Sequence, residues 1–332
     1  MPILTNSLIE KKRELMRCLH NIIFLGIITV IIICGPPSIA QNDQMSLDDI
    51  MQTGEQWLQE NIDPDVLNLL GSMDGAKARK FLADFQQWLH SECVVDVTSI
   101  KETAVVVLPL LERYEESWPY AVWLKTRLDY LEMAQQFKQT LPPPLKIPGE
   151  VSKPVFYPEP EVERKVWRKK IESKSLPKGA EAYVDRLKPI FAAQRVPDKL
   201  VWIAEVESSF VPYARSPAGA AGLFQLMPQT AKTYGLSSWP RDERLQPEKN
   251  AKAAARYLKY LHKEFKDWPL TLAAYNAGEG RVRSLMGRYK AVSFDGIATH
   301  LPVETQMYVP KIEATLLRRE GITLSQLAAP DS

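Results

Sequence analysis

A chain of 332 residues, 45% hydrophobic and 25% charged, is long enough for two packed domains and has a globular composition, which excludes collagen-like, coiled-coil and mucin-like architectures. Its formal net charge of +2 gives no reason to expect nucleic acid, which needs a concentrated basic surface, and leaves a neutral or mildly acidic polymer as the easier partner. The four histidines are scattered, with no HExxH or paired spacing, so no metal site is expected.

The first forty residues read as a targeting segment. Lys11, Lys12, Arg13 and Arg17 precede an apolar run over residues 22–33, and Ser38, Ile39 and Ala40 supply the small residues a signal peptidase reads. Cleavage is expected between Ala40 and Gln41, giving an exported, periplasmic protein; Met16 is an alternative start. The run is shorter than the ~20 residues of a membrane span. Two other readings stay open: an uncleaved membrane anchor, and a lipoprotein at Cys34, against which Ile33 stands where a small residue belongs. With Cys18 and Cys34 removed, Cys93 is the one remaining thiol and no internal disulfide can form. His90 lies three residues from Cys93, but nothing else of a cysteine-nucleophile site is evident, so Cys93 reads as a small buried residue.

Residues 41–141 read as an all-helical N-terminal domain of unknown role. Ser46 with Asp49, and Pro64, suit helix starts, and Phe81, Phe85, Trp88 and Leu89 recur at three- and four-residue spacing. Pro109 and Pro119 should break or kink the helical pattern, and residues 121–137 then form one more amphipathic helix. Trp57, Trp88, Trp118 and Trp123 could stack on sugars, but at helical spacing they read as core. Residues 142–163 form a linker or strap: seven of the 25 prolines fall between positions 142 and 160. Val155, Phe156 and Tyr157 are apolar enough for a strap packed on the next domain. The basic run 164–174 reads as a solvated helix face, with anchoring to an anionic surface as the alternative.

From residue 164 the pattern is again helical. One helix should follow Lys178 through Tyr183, Leu187 and Phe191, and Pro197 should open another ending near Glu207. Residues 247–265 and 270–277 should form two more, the last stopped by Gly278. At about 100° per residue, Leu200, Ile203, Ala204, Val206, Glu207 and Phe210 share one arc, while Glu205 and Ser209 turn away. Glu207 is therefore an acid in an apolar face, where desolvation raises a carboxyl pKa towards that of a general acid at neutral pH. Periodicity alone leaves open a structural carboxylate paired with Arg215 or another cation. Residues 216–222 then carry almost no side-chain bulk, so their backbone is open to close approach by a ligand, and a small β-element is expected nearby.

ESSF at Glu207, Ser216 nine positions on, GLFQLMP at residues 222–228, AYNAGEGRV at 274–282 and LPVETQMYVPKI at 301–312 together resemble the lytic transglycosylases of the goose-type-lysozyme-like superfamily, and the last motif resembles the membrane-bound murein transglycosylase D type. The resemblance covers residues 187–318. It implies a mainly α protein: a lysozyme-like helical catalytic domain, the SLT domain, over residues 164–324, preceded by the separate helical domain and followed by a tail at 325–332.

The resemblance also implies the chemistry. Glu207 falls on the single catalytic acid/base. Ser216 falls beside the reacting sugar, Gln225 and Met227 on the groove lining, and Tyr275 and Asn276 on the pair flanking the acid; Glu304 lies beside the groove. Taken singly, Ser216 reads as a turn serine, Met227 as core, Asn276 as a helix-end residue and Glu304 as a structural carboxylate. A phenol at Tyr275 could hydrogen-bond the acid or the substrate. The implied substrate is the peptidoglycan glycan strand, cut between N-acetylmuramic acid and N-acetylglucosamine without cofactor or metal. The single acid protonates the glycosidic oxygen and then takes the proton of the muramyl C6 hydroxyl as that oxygen attacks C1, leaving a 1,6-anhydro end. Two alternatives stay open: a hydrolytic muramidase or chitinase on the same scaffold, and a catalytically silent glycan-binding protein of the cell wall.

Overall fold

In the computed structural model, which describes residues 75–90, 98–113, 115–140 and 160–330, helices start where the sequence supplies a proline or a capping acid. Helices α1 (Gly75–Leu89), α2 (Thr98–Arg113) and α3 (Trp118–Thr140) come first, Pro119 occupying the first turn of α3. Then come α4 (Pro160–Glu172) and α5 (Lys178–Ala193), a 3₁₀ turn (Asp198–Trp202) and α6 (Ile203–Ser208). Pro228 opens α7 (Pro228–Thr233) and Pro247 opens α8 (Pro247–Phe265), because a proline at the first helical position gives up an N–H that has no partner anyway. The Asp267 side chain accepts a 2.8 Å bond from the Leu270 N–H and so caps α9 (Trp268–Ala277). After α10 (Glu279–Tyr289) the chain enters α11 (Val303–Glu320).

Three sequence expectations change in detail. Pro109 does not break its helix: it lies inside α2. The helix expected from Pro197 to Glu207 is split, a tight 3₁₀ turn leading into the six residues of α6. The expected β-element is a pair of isolated antiparallel bridges, Arg215 with Ala221 and Ala221 with Leu226. The targeting segment, the start signals at Ser46 and Pro64, Trp57, Cys34 and Cys93, and the proline-rich stretch up to residue 159 lie outside the described residues.

Met73–Ser332 form one compact unit, so α1–α3, assigned by the sequence to an N-terminal helical domain, share a unit with the helices after residue 160. Two hydrophobic cores fill it. The first gathers Phe191, Leu200, Val206, Phe224, Leu258, Ala274 and Tyr308; the second gathers Phe85, Val107, Leu124, Leu131, Trp167 and Met307. Trp88 and Trp123 are buried in the second, as their spacing indicates. Helix α11 belongs to both, giving Tyr308, Val309 and Ile312 to one and Val303, Met307 and Ala314 to the other. A helix covered on both sides must satisfy its polar side chains internally, and two of those of α11, Glu304 and Tyr308, do so at Arg127 and Glu207.

The basic run 164–174 divides: Lys165, Arg168 and Lys169 are exposed, as a solvated helix face requires, while three other cations pair between helices. Arg164 pairs with Asp295 at 2.5 Å and Glu313 at 3.2 Å, Lys170 with Glu132, and Lys174 with Asp129.

Candidate active site

The local backbone around Glu207 is set by its neighbours. Leu200, Ile203, Ala204, Val206 and Phe210 are all buried, so the apolar arc drives α6 into the first core. Ser208, fully buried, donates to the carbonyls of Ala204 and Leu223, tying the helix end to the glycine-rich loop. Ser209 and Phe210 then take left-handed φ of 51° and 58°, which stops the helix one residue after Ser208.

Both acids of α6 are buried, which periodicity did not indicate for Glu205. Glu205 faces Arg319, which reaches it with Nε at 3.0 Å and Nη2 at 2.9 Å in a two-pronged pair. Glu207 faces the opposite way and is 3% exposed. Its Oε1 accepts the Tyr308 hydroxyl proton at 2.7 Å and its Oε2 accepts from Arg127 Nη2 at 3.0 Å. Arg127 Nη1 also donates to the Glu207 main-chain carbonyl at 2.7 Å. The cation partner left open by the sequence is thus Arg127, on α3; Arg215 pairs with Asp242 instead. Burial pushes the Glu207 carboxyl above the ordinary carboxylate range, while Arg127 and the Tyr308 hydrogen bond pull it back.

Glu304 is the second carboxylate. It is buried and binds the same guanidinium, Oε1 lying 3.2 Å from Arg127 Nε and 3.1 Å from Nη2. Glu207 and Glu304 therefore both lie against one nitrogen, Arg127 Nη2, at 3.0 and 3.1 Å. A guanidinium, not open space, lies between them. Behind this triad Lys311 donates to the Thr126 carbonyl at 2.8 Å and pairs with Asp129 at 3.1 Å, with its ammonium 4.4 Å from the Tyr130 ring centroid.

The small-residue loop is fixed from below. Arg244, buried, donates to the carbonyls of Gly219 at 2.7 Å and Leu226 at 3.0 Å while Asp242 holds the other side of its guanidinium. Asn250 accepts from the Phe224 N–H at 2.8 Å. Ser216 is buried and its Oγ accepts from the Ala220 N–H at 3.0 Å, closing the turn. Gln225 uses its amide N–H groups on Ala214 and Gly222, and its Oε1 is buried with no protein partner. Met227, expected in the groove lining, is exposed. The Tyr275 hydroxyl donates to the Phe224 carbonyl at 2.7 Å and not to the acid, and Asn276 accepts from Thr305 at 2.6 Å. The loop also meets the first helices: Ala218 N–H donates to Gln86, Arg215 N–H donates to the Pro119 carbonyl, and the half-exposed Tyr213 ring lies 4.8 Å from that of Trp118.

A profile of the family described as "Transglycosylase SLT domain" matches residues 192–296. This stretch is similar to the SLT domain. The matched span includes Glu207, Ser216, Gln225, Met227, Tyr275 and Asn276 and ends before Glu304 and Tyr308. Over 111 residues the chain is 43% identical to the membrane-bound lytic murein transglycosylase D of Escherichia coli strain K12, covering 32% of this chain and 25% of that protein. It is 36% identical over 118 residues to the soluble lytic murein transglycosylase of the same strain, covering 32% and 18%. It thus spans a quarter or less of the length of these relatives. Among solved structures, the 70 kDa soluble lytic transglycosylase of Escherichia coli aligns with 93% of this chain and 63% of its own, at 19% identity and a TM-score of 0.38.

In this cluster, sequence reasoning singled out Glu207 and Glu304 but passed over Tyr308 and Arg127. Tyr308 stands inside the LPVETQMYVPKI motif, four residues after Glu304 and hence on the same helical face, a spacing that could have found it. Arg127 had only a weak signal: it is one of several charged residues of α3, beside Lys125 and Asp129, and local spacing does not single it out.

Proposed function

We propose that this protein is an exported lytic transglycosylase acting on the glycan strands of peptidoglycan, with Glu207 as its single acid and then base. The observation that carries the reading is the buried Glu207 carboxyl, raised by desolvation and hydrogen-bonded at both oxygens, within the span that matches the SLT domain. A raised carboxyl pKa favours the protonated form that a general acid needs to deliver a proton to a glycosidic oxygen. As that bond breaks, Glu207 is left as carboxylate. It then accepts the proton of the C6 hydroxyl while the C6 oxygen bonds to C1, so the ring closes and no water is consumed. Export is part of the proposal and rests on the N-terminal segment; no helix among the described residues is long and apolar enough to cross a membrane.

A hydrolytic reading needs a second carboxylate free to activate water. Glu304 is bound to the guanidinium of Arg127, which argues against that role and in favour of the single-acid reaction. Ser216, Gln225, Met227, Tyr275, Asn276 and Glu304 belong to the proposed groove and its supports. The test is Glu207→Gln, in which the amide keeps the shape of the acid but carries no transferable proton. Turnover of purified peptidoglycan should fall by about 10²–10⁴-fold while the protein stays folded and still sediments with the glycan. Undiminished turnover would refute the assignment.

A further inference from the structure

We propose that Arg127, outside the span matched by the SLT family, is the positioning residue for Glu207, gripping it by main chain and side chain at once. This role rests on the proposed lytic transglycosylase reading. The guanidinium is buried, so the direction of each N–H is set by its partners. Nη1 holds the Glu207 carbonyl at 2.7 Å and Thr126 Oγ1 at 2.7 Å; Nη2 holds Glu207 Oε2 at 3.0 Å. Binding a residue at its carbonyl and at its carboxylate fixes the side-chain torsions between them. That constraint matters here, because Glu207 sits near the end of a six-residue helix, just before two left-handed residues.

Charge counting explains why the grip does not abolish the acid. One guanidinium serves two buried carboxylates: Glu304 Oε1 accepts from Nε at 3.2 Å and lies 3.1 Å from Nη2. With both carboxylates ionised, the triad carries one surplus negative charge in a desolvated site, which favours uptake of one proton. Glu304 thus offsets the cation, and Glu207 keeps an orienting hydrogen bond without being forced into its ionised form. The other titratable groups that bear on Glu207 are Tyr130 on α3, Tyr275 on α9 and Tyr308 on α11, all tyrosines held well above their usual range by burial. One layer out, Asp129 and Lys311 neutralise each other. Arg127 and Glu304 are then the two charges that set the proton affinity of the acid, in opposite directions.

The experiment measures kcat and kcat/KM of the full chain on purified glycan strands across pH, for the wild type and for Glu207→Gln, Arg127→Lys, Arg127→Gln and Glu304→Gln. The high-pH limb of kcat/KM reports loss of the proton from the free enzyme's acid. Arg127→Lys keeps the charge and loses the fork: kcat should fall about ten- to a hundredfold with KM within about twofold, the limb unmoved and the melting temperature near that of the wild type. Arg127→Gln removes a cation, which raises the carboxyl pKa and moves the limb to higher pH; Glu304→Gln removes an anion and moves it to lower pH. If Arg127→Gln does not fold, Arg127→Lys and Glu304→Gln still decide. Wild-type kcat in Arg127→Lys, or limbs that move together or not at all, would overturn the positioning role while leaving the lytic reaction standing. A wild type without 1,6-anhydro products, or a fully active Glu207→Gln, would overturn the underlying reading and this role with it.

Discussion

Replacing Gly222 by alanine tests whether the loop beside Glu207 is built by close backbone approach. Gly222 has φ +86°, and a Cβ there would lie 2.0 Å from the Arg244 carbonyl oxygen and 2.8 Å from Asn250 Nδ2. Neither neighbour is free to yield: the Arg244 side chain is committed to Gly219, Leu226 and Asp242, and the Asn250 carboxamide to Phe224. The left-handed backbone alone costs an alanine about 1–2 kcal/mol, and forcing a methyl into a filled site adds about 1–3 kcal/mol. The total of about 2–5 kcal/mol is a large share of the ~5–15 kcal/mol that holds a domain folded. Two other glycines separate the terms. Gly278 has φ +88° with nothing within 4 Å of a built Cβ, so Gly278→Ala should show the backbone term alone, about 1–2 kcal/mol. Gly280, in α10 with open space around it, should become more stable by up to about 1 kcal/mol as alanine. Urea unfolding of the three variants gives the series, and turnover should be lost only in Gly222→Ala, whose carbonyl also anchors the Gln225 amide. A Gly222→Ala protein within about 1 kcal/mol of Gly278→Ala would refute the close-approach reasoning.

Tyr308→Phe removes the hydrogen bond to Glu207 Oε1 and should lower kcat about tenfold or more, whereas Tyr275→Phe, which loses only a bond to the Phe224 carbonyl, should lose about 1 kcal/mol of stability with turnover nearly intact; steady-state kinetics beside urea unfolding distinguishes them. Glu205→Gln should cost about 1–3 kcal/mol, because it weakens a buried two-pronged pair with Arg319, yet leave turnover close to the wild type, and a kinetic loss equal to that of Glu207→Gln would contradict the division of labour between the two acids. Burial would raise the Asp129 carboxyl, but Lys311 and Lys174 hold it down to about 2, against an ordinary 3.8. Its folded pKa is depressed, so its contribution, roughly 2 kcal/mol, is complete above about pH 4 and is lost as pH falls towards 2. The stability gap between the wild type and Asp129→Asn should therefore narrow on acidification in that window.

The helices of the span that matches the SLT domain were legible because their signals are local. Pro247 stands at a helix start, Gly278 at a stop, and α8 runs over the residues its apolar spacing indicates. Glu207 was legible for the same reason: its burial comes from the arc it shares with Ile203 and Phe210. What the sequence could not show depends on partners distant along the chain. Arg127 is 80 residues from Glu207 and 177 from Glu304, and nothing within α3 says that its cation turns inward. Glu205 looked solvent-facing because its burial comes from Arg319, 114 residues on. Tyr275 looked suited to meet the acid from its place in the AYN motif, but α9 turns its hydroxyl to the Phe224 carbonyl, and the phenol that meets Glu207 comes from α11.

The central claim, that the substrate's own hydroxyl rather than water displaces the leaving group, is tested most directly by the mass of the products. Purified peptidoglycan digested with the full-length protein and analysed by liquid chromatography with mass spectrometry should yield muropeptides ending in 1,6-anhydro-N-acetylmuramic acid, each lighter by one water than its hydrolytic counterpart and insensitive to borohydride. Products of the hydrolytic mass that borohydride reduces would contradict the claim and show that water reaches C1 despite the ion-paired Glu304.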